Sequence, residues 1–373
     1  MRRILFIFGT RPEAIKLCPV ILRLRANPSL FDVKVCVTAQ HREMLDQVLA
    51  AFQVQPDFDL DLMLPGQTLF QSTSRILAGL EPVLDAVRPG MVIVQGDTTT
   101  TFCGALAAFY KNIAVGHVEA GLRTWDMRQP FPEEMNRVLT SRVTSLHFAP
   151  TEASAQNLRN EGVSADTISI TGNTGIDAVL FVRDRLVSGE LQGGDSGVTV
   201  EPGKRLILVT AHRRESFGTG FESICRGLAA IADRGDVQIA YPVHPNPNVQ
   251  DPVNRLLARH PAVRLIKPLS YVPFVDLMRR AYIVITDSGG IQEEGPSLGK
   301  PILVMREKTE RPEAVAAGTV KLVGTDEDRI FGEASKLLDD PQAWERMTRV
   351  HNPYGDGRAS ERIEGLIDSF FSK

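Results

Sequence analysis

The chain has 373 residues, too many for one hydrophobic core and suited to two. With 43% hydrophobic and 23% charged residues and a net charge of −3, its composition is that of an ordinary soluble protein, and nothing favours nucleic acid as a partner. No apolar stretch approaches the roughly 18–20 residues of a membrane span, so we predict a cytoplasmic protein that does not bind membranes.

The first predicted element is a β-strand at Ile4–Phe8. Two arginines precede this apolar run, an order that superficially resembles a secretory signal peptide. The run is only about five residues long, shorter than a signal peptide requires, and it is followed at once by the charged residues Arg11, Glu13 and Lys16. A buried strand therefore explains the segment better.

Short apolar and β-branched runs alternate with amphipathic stretches along most of the chain. Such alternation is typical of parallel sheets covered by helices on both faces. We therefore predict an α/β fold with two Rossmann-like, doubly wound domains facing a cleft. The predicted strands are Ile4–Phe8, Val33–Thr38, Met91–Gln95, Ala114–Val118, Leu146–Ala149, Thr167–Thr171, Leu206–Thr210, Val237–Tyr241, Val263–Ile266, Tyr282–Thr286, Ile302–Val304 and Val320–Val323, and the predicted helices include Phe102–Tyr110, Phe221–Ala232 and Val272–Arg280.

A polar, glycine-rich segment at Ser188–Gly203 lies between the two series of strands and predicts a surface loop near the domain junction. We place the hinge slightly earlier, at Gly172–Gly175, because Ile176–Val187 has a helical pattern. The last segment, Ala359–Phe371, is also helical in pattern. The predicted domains are residues 1–172 and 173–357, followed by a C-terminal helix at 358–373.

Ligands of doubly wound sheets bind beyond the carboxyl ends of the strands, so the residues that follow each strand carry the functional prediction. After the first strand, Thr10 and Glu13 have capping-box spacing, and Pro12 suits a first helical turn. With Arg11 and Lys16 beside it, this helix start can bind an anion. A well-capped helix with two solvated cations would explain the motif equally well. It lacks the glycine pattern of a dinucleotide site, which argues against a nicotinamide cofactor.

Acidic residues follow the next strands of the first half. Asp97 comes after Met91–Gln95, and Glu119 comes directly after Ala114–Val118. Glu133 opens a helical segment in which Arg137 lies on the same face, at i+4. Each acid alone could be a helix cap or a surface ion-pair partner. Three of them at equivalent edges of one domain favour proton transfer, because crowded acids have pKa values that move apart.

In the second half, basic residues follow the strands. His212 and Arg213 come just after Leu206–Thr210, and His244 follows the next strand. A lone histidine is more often structural than catalytic. Beside arginines at a strand end, His212 is predicted to bind phosphate or transfer a proton.

The strongest motif is Ser288-Gly289-Gly290, which joins an apolar strand to a helix carrying Glu293 and Glu294. Glycines let backbone N–H groups approach a phosphate, and the helix dipole favours its charge. An acid one turn into the helix can accept hydrogen bonds from ribose hydroxyls. A tight strand-to-helix turn would need only one glycine, so we favour a nucleotide site.

No metal site is predicted. The cysteines lie far apart, form no CxxC pair and have apolar neighbours, so we expect reduced core residues. His117 and Glu119 match the first half of the zinc-deaminase pattern, but no PCxxC follows them. The four cysteines are Cys18, Cys36, Cys103 and Cys225.

Taken together, the motifs GTRPEAIK, TAQHREMLD, QGDTTTT, GHVEAGLRT, FPEEMNR, TAHRRES, TDSGGIQEE and ERPEA resemble those of bacterial non-hydrolysing UDP-N-acetylglucosamine (UDP-GlcNAc) 2-epimerases. They occur in the same order and extend from about residue 4 to about residue 320. The resemblance implies a GT-B-like fold, a homodimer, and a last helix that packs back onto the first domain.

The resemblance also implies roles for individual residues. Ser288, Gly289 and Gly290 would hold a diphosphate, Glu294 the ribose hydroxyls, and Phe274 would lie near uracil. Arg11, His212 and Arg311 match the remaining nucleotide and phosphate set. The catalytic set implied for the sugar is Asp97, Glu119, Glu133 and Arg137, with Lys16 nearby. His212 is also counted as a catalytic residue.

The implied reaction eliminates UDP with loss of the proton at carbon 2, forming 2-acetamidoglucal, and adds UDP back after protonation of the other face. It needs no cofactor or metal, and its product would be an N-acetylmannosamine (ManNAc) precursor for surface polysaccharide. A second UDP-GlcNAc is implied as an activator. Gly66 stands where some activated members carry arginine, and the residues matching the activator site are Gln40, Gln67, Arg213 and His244.

Other functions remain open at this point. A 2-epimerase acting on a UDP-2,3-diacetamido sugar would share these motifs. A GT-B glycosyltransferase would need an acceptor site, and nothing in it calls for three acids. A non-catalytic UDP-sugar sensor would not need proton-transfer groups. A bifunctional epimerase–kinase is not expected, because the two predicted domains account for the length of the chain.

Overall fold

A computed structural model describes residues 1–38, 42–64, 66–349 and 351–372. Its contacts divide the chain into two units. The first unit contains Met1–Ala178 and the C-terminal segment that begins at Tyr354, and the second unit contains Val179–Pro353. No helix in the described part of the chain has the length and apolar character of a membrane span.

The first unit is built around a seven-stranded parallel sheet of order β3-β2-β1-β4-β5-β6-β7. The order reverses between β1 and β4, which makes this the switch point where ligands of such sheets bind. Its elements up to the second unit are β1 Arg2–Phe8, α1 Arg11–Arg25, β2 Phe31–Val37, α2 Arg42–Ala51, β3 Phe58–Asp59, α3 Leu69–Val87, β4 Met91–Gln95, α4 Thr99–Tyr110, β5 Ala114–Val118, α5 Glu133–Val143, β6 Leu146–Ala149, α6 Glu152–Asn160 and β7 Ile168–Ile170.

The second unit has a six-stranded parallel sheet of order β10-β9-β8-β11-β12-β13, with its switch point between β8 and β11. The remaining elements of the chain are α7 Thr174–Ser188, β8 Arg205–Thr210, α8 Thr219–Ala232, β9 Val237–Pro242, α9 Pro247–Leu257, β10 Val263–Ile266, α10 Tyr271–Arg280, β11 Ile283–Thr286, α11 Gly289–Glu294, β12 Ile302–Val304, α12 Pro312–Ala317, β13 Val320–Leu322, α13 Glu327–Asp339, α14 Pro341–Thr348 and α15 Ala359–Ser372.

The central strands form because their side chains are apolar on both faces. Ile4–Phe8 of β1 are all completely buried, as are most residues of β4 and β11. Burying one such side chain stabilises the fold by about 1.5–3 kcal/mol. The continuous apolar runs therefore locate the sheets, and they leave the polar residues at the strand ends.

The predicted α/β fold with two doubly wound sheets is confirmed. Every predicted strand is present, with ends within a few residues. The sequence did not predict β3, a two-residue strand at the sheet edge that pairs only with the end of β2. Such a short strand has no apolar run to reveal it.

The predicted hinge at Gly172–Gly175 lies just before the division at Ala178. Asn173 donates its backbone N–H to the carbonyl of Tyr354 at 2.8 Å. The Asp177 carboxylate accepts backbone N–H groups at the start of α15, from Ala359 at 3.2 Å and from Ser360 at 2.8 Å. These bonds hold the start of α7 in the first unit.

The last helix, α15, packs against α1 in the same unit. Glu364 of α15 accepts a hydrogen bond from Arg23 at 2.5 Å and another from Asn27. Its buried face includes Ile363 and Ile367.

Candidate functional site

At the switch point of the first unit, the Glu13 carboxylate links the loops after β1 and β4. The side chain is 1% exposed. Its Oε2 accepts the backbone N–H groups of Gly9 at 3.1 Å and Thr10 at 2.8 Å. Its Oε1 lies 2.8 Å from the Thr98 hydroxyl and 3.1 Å from the Thr101 hydroxyl. Burial raises the pKa of Glu13, although the bonds from Thr10 and Thr98 oppose this effect.

This link fixes the backbone beside two predicted site residues. Arg11 begins α1 directly after Thr10, and Asp97 precedes Thr98. The capping box predicted from Thr10 and Glu13 is present. The sequence did not reveal that the same carboxylate also reaches the loop after β4.

Glu119 follows β5 with a left-handed backbone, φ +63°. This conformation is uncommon for a residue other than glycine and points to a functional or strained position. The Glu119 carboxylate accepts a hydrogen bond from the Lys16 ammonium on one oxygen and from the Gln95 amide on the other. Lys16 and Glu119 therefore lie together, as predicted for the catalytic set.

Asp97 lies beside the other predicted catalytic residues of this unit. Its Oδ2 accepts a hydrogen bond from Arg137 at 2.5 Å, and its carbonyl accepts one from Asn136 at 2.9 Å. Burial raises the pKa of Asp97, Arg137 lowers it, and the nearby charges of Glu119 and Glu133 raise it further. The charges of Glu119 and Glu133 thus act on the carboxyl group of Asp97, which is protonated more readily than usual.

Glu134 was not predicted as part of this arrangement. It is 1% exposed, and it accepts the backbone N–H groups of Thr124 at 3.0 Å and Trp125 at 3.1 Å. Its second oxygen lies 3.3 Å from Arg137. The i,i+4 spacing placed Glu133 on the face of Arg137, whereas the ion pair within α5 is formed by Glu134 at i,i+3. Glu134 and Asp97 together hold the Arg137 guanidinium.

His117, which precedes Glu119 on β5, supports the loop after β4. The ring is completely buried, and its Nε2 lies 2.7 Å from the Gly96 carbonyl. Burial lowers the pKa of His117 to about 3, so the imidazole is neutral at physiological pH. A neutral ring that donates to Gly96 is a structural support for the turn before Asp97.

At the switch point of the second unit, β11 leads into the loop Ser288-Gly289-Gly290. A Cβ atom on Gly289 would lie 3.8 Å from Nη2 of Arg311 and 3.9 Å from Nη2 of Arg213. A Cβ atom on Gly290 would lie 3.9 Å from Oε1 of Glu294. Two guanidinium groups therefore flank a glycine backbone, which is an arrangement suited to an oxyanion.

Acidic residues set the positions of these cations. Glu293 is 4% exposed and accepts a hydrogen bond from Nε of Arg311. Arg306 is 7% exposed and binds Glu215 at 2.5 Å and Glu310 at 2.8 Å. Its hydrogen bond lowers the pKa of Glu310 to about 2. Arg306 thereby ties the segment after β8 to the segment after β12, and these segments carry Arg213 and Arg311.

His212 is held by Asp287, the residue before the glycine loop. The Asp287 Oδ2 accepts the backbone N–H groups of His212 at 2.6 Å and Arg213 at 2.7 Å. Its Oδ1 lies 3.3 Å from Nδ1 of His212. The rings of His212 and His244 stack at 5.5 Å with an interplanar angle of 16°. Burial lowers the pKa of His244, and His212 adds to this effect while Asp287 opposes it.

The remaining predicted residues belong to both units. Phe274 is half-buried in the first turn of α10. In the first unit, Gln67 donates its amide to the sulfur of Met63 at 2.6 Å, and Gly66 has φ +71°. Gln40 lies outside the described residues. Of the residues predicted for an activator site, His244 stacks on His212 and Arg213 lies beside Gly289.

Sequence comparison identifies relatives over almost the whole chain. The family model described as UDP-N-acetylglucosamine 2-epimerase matches residues 23–368. The UDP-N-acetylglucosamine 2-epimerase of Escherichia coli O157:H7 is 57% identical over 365 residues, which are 97% of this chain and 97% of the relative.

Structure comparison gives the same result. The crystal structure of UDP-GlcNAc 2-epimerase from Neisseria meningitidis bound to UDP-GlcNAc has a TM-score of 0.87 and 47% identity, covering 98% of this chain and 99% of that one. The calicheamicin glycosyltransferase CalG4, with a TM-score of 0.59, 14% identity and 98% of each chain covered, shares the fold alone.

Proposed function

The chain belongs to the UDP-N-acetylglucosamine 2-epimerase family, and we propose that it interconverts UDP-GlcNAc and UDP-ManNAc by inverting carbon 2. The observation that carries this proposal is the meeting of Asp97, Glu119 and Glu133, in which burial and the neighbouring acids raise the pKa of Asp97. Inversion of carbon 2 by proton transfer needs one group that accepts a proton and another that donates one. Acids with separated pKa values can serve both purposes near neutral pH.

The proposed first step is an elimination. A carboxylate removes the proton from carbon 2, the electron pair of that C–H bond forms the double bond to carbon 1, and the carbon 1–oxygen bond breaks. UDP leaves with the electron pair, and 2-acetamidoglucal remains. In the second step an acid protonates carbon 2 on the opposite face while UDP adds to carbon 1. One proton replaces another, so no electron acceptor is required.

We assign the proton transfers jointly to Asp97, Glu119 and Glu133. Because the two transfers occur on opposite faces, a single carboxyl group cannot easily perform both. Lys16 holds Glu119 and Arg137 holds Asp97, which keeps these carboxylates at fixed positions. Arg137 also lowers the pKa of Asp97, which opposes the effect of burial.

We assign UDP to the second unit. Ser288, Gly289 and Gly290 would present backbone N–H groups to the diphosphate, and Arg311 would neutralise its charge. Glu294 would accept hydrogen bonds from the ribose hydroxyls, and Phe274 would contact uracil. His212 would stabilise or protonate the departing phosphate. Arg11, which the resemblance assigns to the same set, would add a cation.

The test is to incubate the protein with UDP-GlcNAc and, separately, with a UDP-2,3-diacetamido sugar, and to identify products by NMR. We expect UDP-ManNAc from the first substrate. Product from the diacetamido sugar alone would show that this sugar is the substrate. No product from either sugar would support a non-catalytic UDP-sugar sensor. Asp97→Asn should abolish turnover, whereas Glu152→Gln, an acid-to-amide change on the exposed surface of the same unit, should not.

We further propose a homodimer formed through the first unit. Phe109 (55% exposed) and Tyr110 (68% exposed) are adjacent at the end of α4. Contiguous exposed apolar groups mark contact surfaces. Sedimentation should give twice the monomer mass, and Tyr110→Ser should favour the monomer. A monomer at micromolar concentrations would contradict this proposal.

A second UDP-GlcNAc is proposed as an activator, and the residues that the resemblance implies for its site are Gln40, Gln67, Arg213 and His244. Initial rates should then depend sigmoidally on UDP-GlcNAc concentration, and His244→Ala should make the curve hyperbolic. A hyperbolic curve for the unmodified protein would contradict the activation. We also propose that the enzyme works in the cytoplasm and supplies ManNAc precursors for surface polysaccharide. Loss of the protein should then remove ManNAc from that polysaccharide.

A further inference from the structure

Asp287 is the buried acid that connects the glycine loop of the second unit with the loop after β8. It follows β11 directly, precedes Ser288 and is 1% exposed. Its Oδ2 already accepts two backbone N–H groups, from His212 and Arg213. This oxygen therefore fixes the course of the backbone that carries both side chains.

The other oxygen of Asp287 has a different relation to the site. Oδ1 is buried and accepts no well-formed hydrogen bond among the described residues, although a buried carboxylate oxygen without a donor is costly. Nδ1 of His212 lies 3.3 Å away. An N–H at this nitrogen would satisfy Oδ1 after a small rotation of the ring.

We infer that Asp287 is a positioning residue that keeps the proton of His212 on Nδ1 and leaves Nε2 free to act on the diphosphate. This inference rests on the proposed function for the identity of the ligand. The side chain of His212 is 42% exposed, so part of the ring is open to a ligand. Arg213, the next residue, flanks Gly289, which places the histidine beside the glycine loop.

The charge balance around the ring supports this role. His212 faces the Asp287 carboxylate on one side and stacks on His244. When Nε2 takes a proton, the buried carboxylate compensates the imidazolium. When Nε2 gives the proton to the departing phosphate, the remaining proton stays on Nδ1. The ring thus returns to the same tautomer after each transfer.

Asp287→Asn is the informative variant, because its amide oxygen can still accept the backbone N–H groups of His212 and Arg213. Its amide nitrogen would instead face Nδ1 of His212 and donate to it, so the proton would move to Nε2. We expect kcat to fall by about 10²–10⁴-fold, while the Kd for UDP changes by less than about threefold. Asp287→Ala removes the backbone contacts as well, and should weaken UDP binding.

A double-variant cycle distinguishes positioning from a general structural role. If Asp287 acts through His212, Asp287→Asn should cause little further loss of kcat in a His212→Ala background. A multiplicative loss would overturn the inference. In addition, ¹⁵N NMR of histidine-labelled protein should show His212 with its proton on Nδ1, moving to Nε2 in Asp287→Asn. A wild-type ring protonated only on Nε2 would also overturn it.

These measurements are separable from the proposed function. If the protein epimerised no UDP-sugar, the proposed function would fail, yet the tautomer of His212 could still be measured in the presence of UDP. If the protein is an active epimerase but His212 has the same tautomer with and without the Asp287 carboxylate, only the inference about Asp287 fails.

Discussion

The role of Glu13 in the first unit leads to a quantitative prediction. In Glu13→Ala, the backbone N–H groups of Gly9 and Thr10 lose their acceptor inside the protein. Each orphaned donor costs about 1–3 kcal/mol, so the two together should destabilise the unit by roughly 2–6 kcal/mol. The hydroxyls of Thr98 and Thr101 add less, because they lie 3.1 Å apart and can bond to each other.

Calorimetry can measure this effect, since 1 kcal/mol corresponds to roughly 2–4 °C in the melting temperature of a unit of this size. Glu13→Gln is the matched control, because its amide oxygen can accept both backbone N–H groups while its NH₂ group donates to Thr98. We expect Glu13→Gln to melt close to the unmodified protein at neutral pH. An alanine variant that melts as high as the glutamine variant would refute the role of these bonds.

The pH dependence of the same pair tests the burial of the charge. Burial raises the folded-state pKa of Glu13 above its ordinary 4.5, so the folded protein retains this proton to higher pH than the unfolded chain. The stability contributed by the protonated carboxyl is fully present below pH 4.5 and is lost as pH rises through the folded-state pKa. Relative to Glu13→Gln, the unmodified protein should therefore lose stability as pH rises from 4.5. A difference that stays constant or increases with pH would contradict this.

Two further predictions concern the second unit. Saturating UDP should raise the melting temperature, because a ligand that binds only the folded state stabilises it. Glu294→Ala should reduce this shift, whereas Asp97→Asn should preserve it. A shift with UDP-sugars but not with UDP would contradict the assigned site. Arg306→Met should weaken UDP binding by about tenfold, roughly 1.4 kcal/mol, because the segments carrying Arg213 and Arg311 lose their tie. Isothermal calorimetry can compare the UDP affinity of Arg306→Met with that of Arg346→Met, which changes an exposed ion pair. Equal affinities for the two variants would exclude this role of Arg306.

The fold could be predicted from the sequence because the central strands are buried on both faces. Met91–Gln95 and Ala114–Val118 have apolar runs whose ends coincide with the observed strands. The acids and glycines that follow such runs must lie at one edge of a parallel sheet. For this reason Asp97, Glu119 and the glycine loop at Ser288 could be predicted as strand-end residues.

The supporting groups could not be predicted in the same way. Asp287 and Arg306 bind residues 75 and 91 positions away in the chain, and the spacing of residues within one helix or loop contains no information about such contacts. Glu134 pairs with Arg137 within α5 at i,i+3, but spacing alone did not distinguish it from Glu133 at i,i+4. Glu13 could be predicted as a helix cap, but its bonds to Thr98 and Thr101 cross 85 and 88 positions of the chain. Only the pairing of β1 with β4 brings these loops together.

The central claim is that carbon 2 is inverted by elimination and re-addition of UDP. The most direct test is to run the reaction with UDP-GlcNAc in heavy water, without added nicotinamide or metal, and to examine carbon 2 of the product by NMR. Because the proton that is lost and the proton that is returned lie on opposite faces, the returned one should come from solvent-exchanged acids. We expect UDP-ManNAc carrying deuterium at carbon 2. UDP-ManNAc that retains full protium at carbon 2 would contradict it.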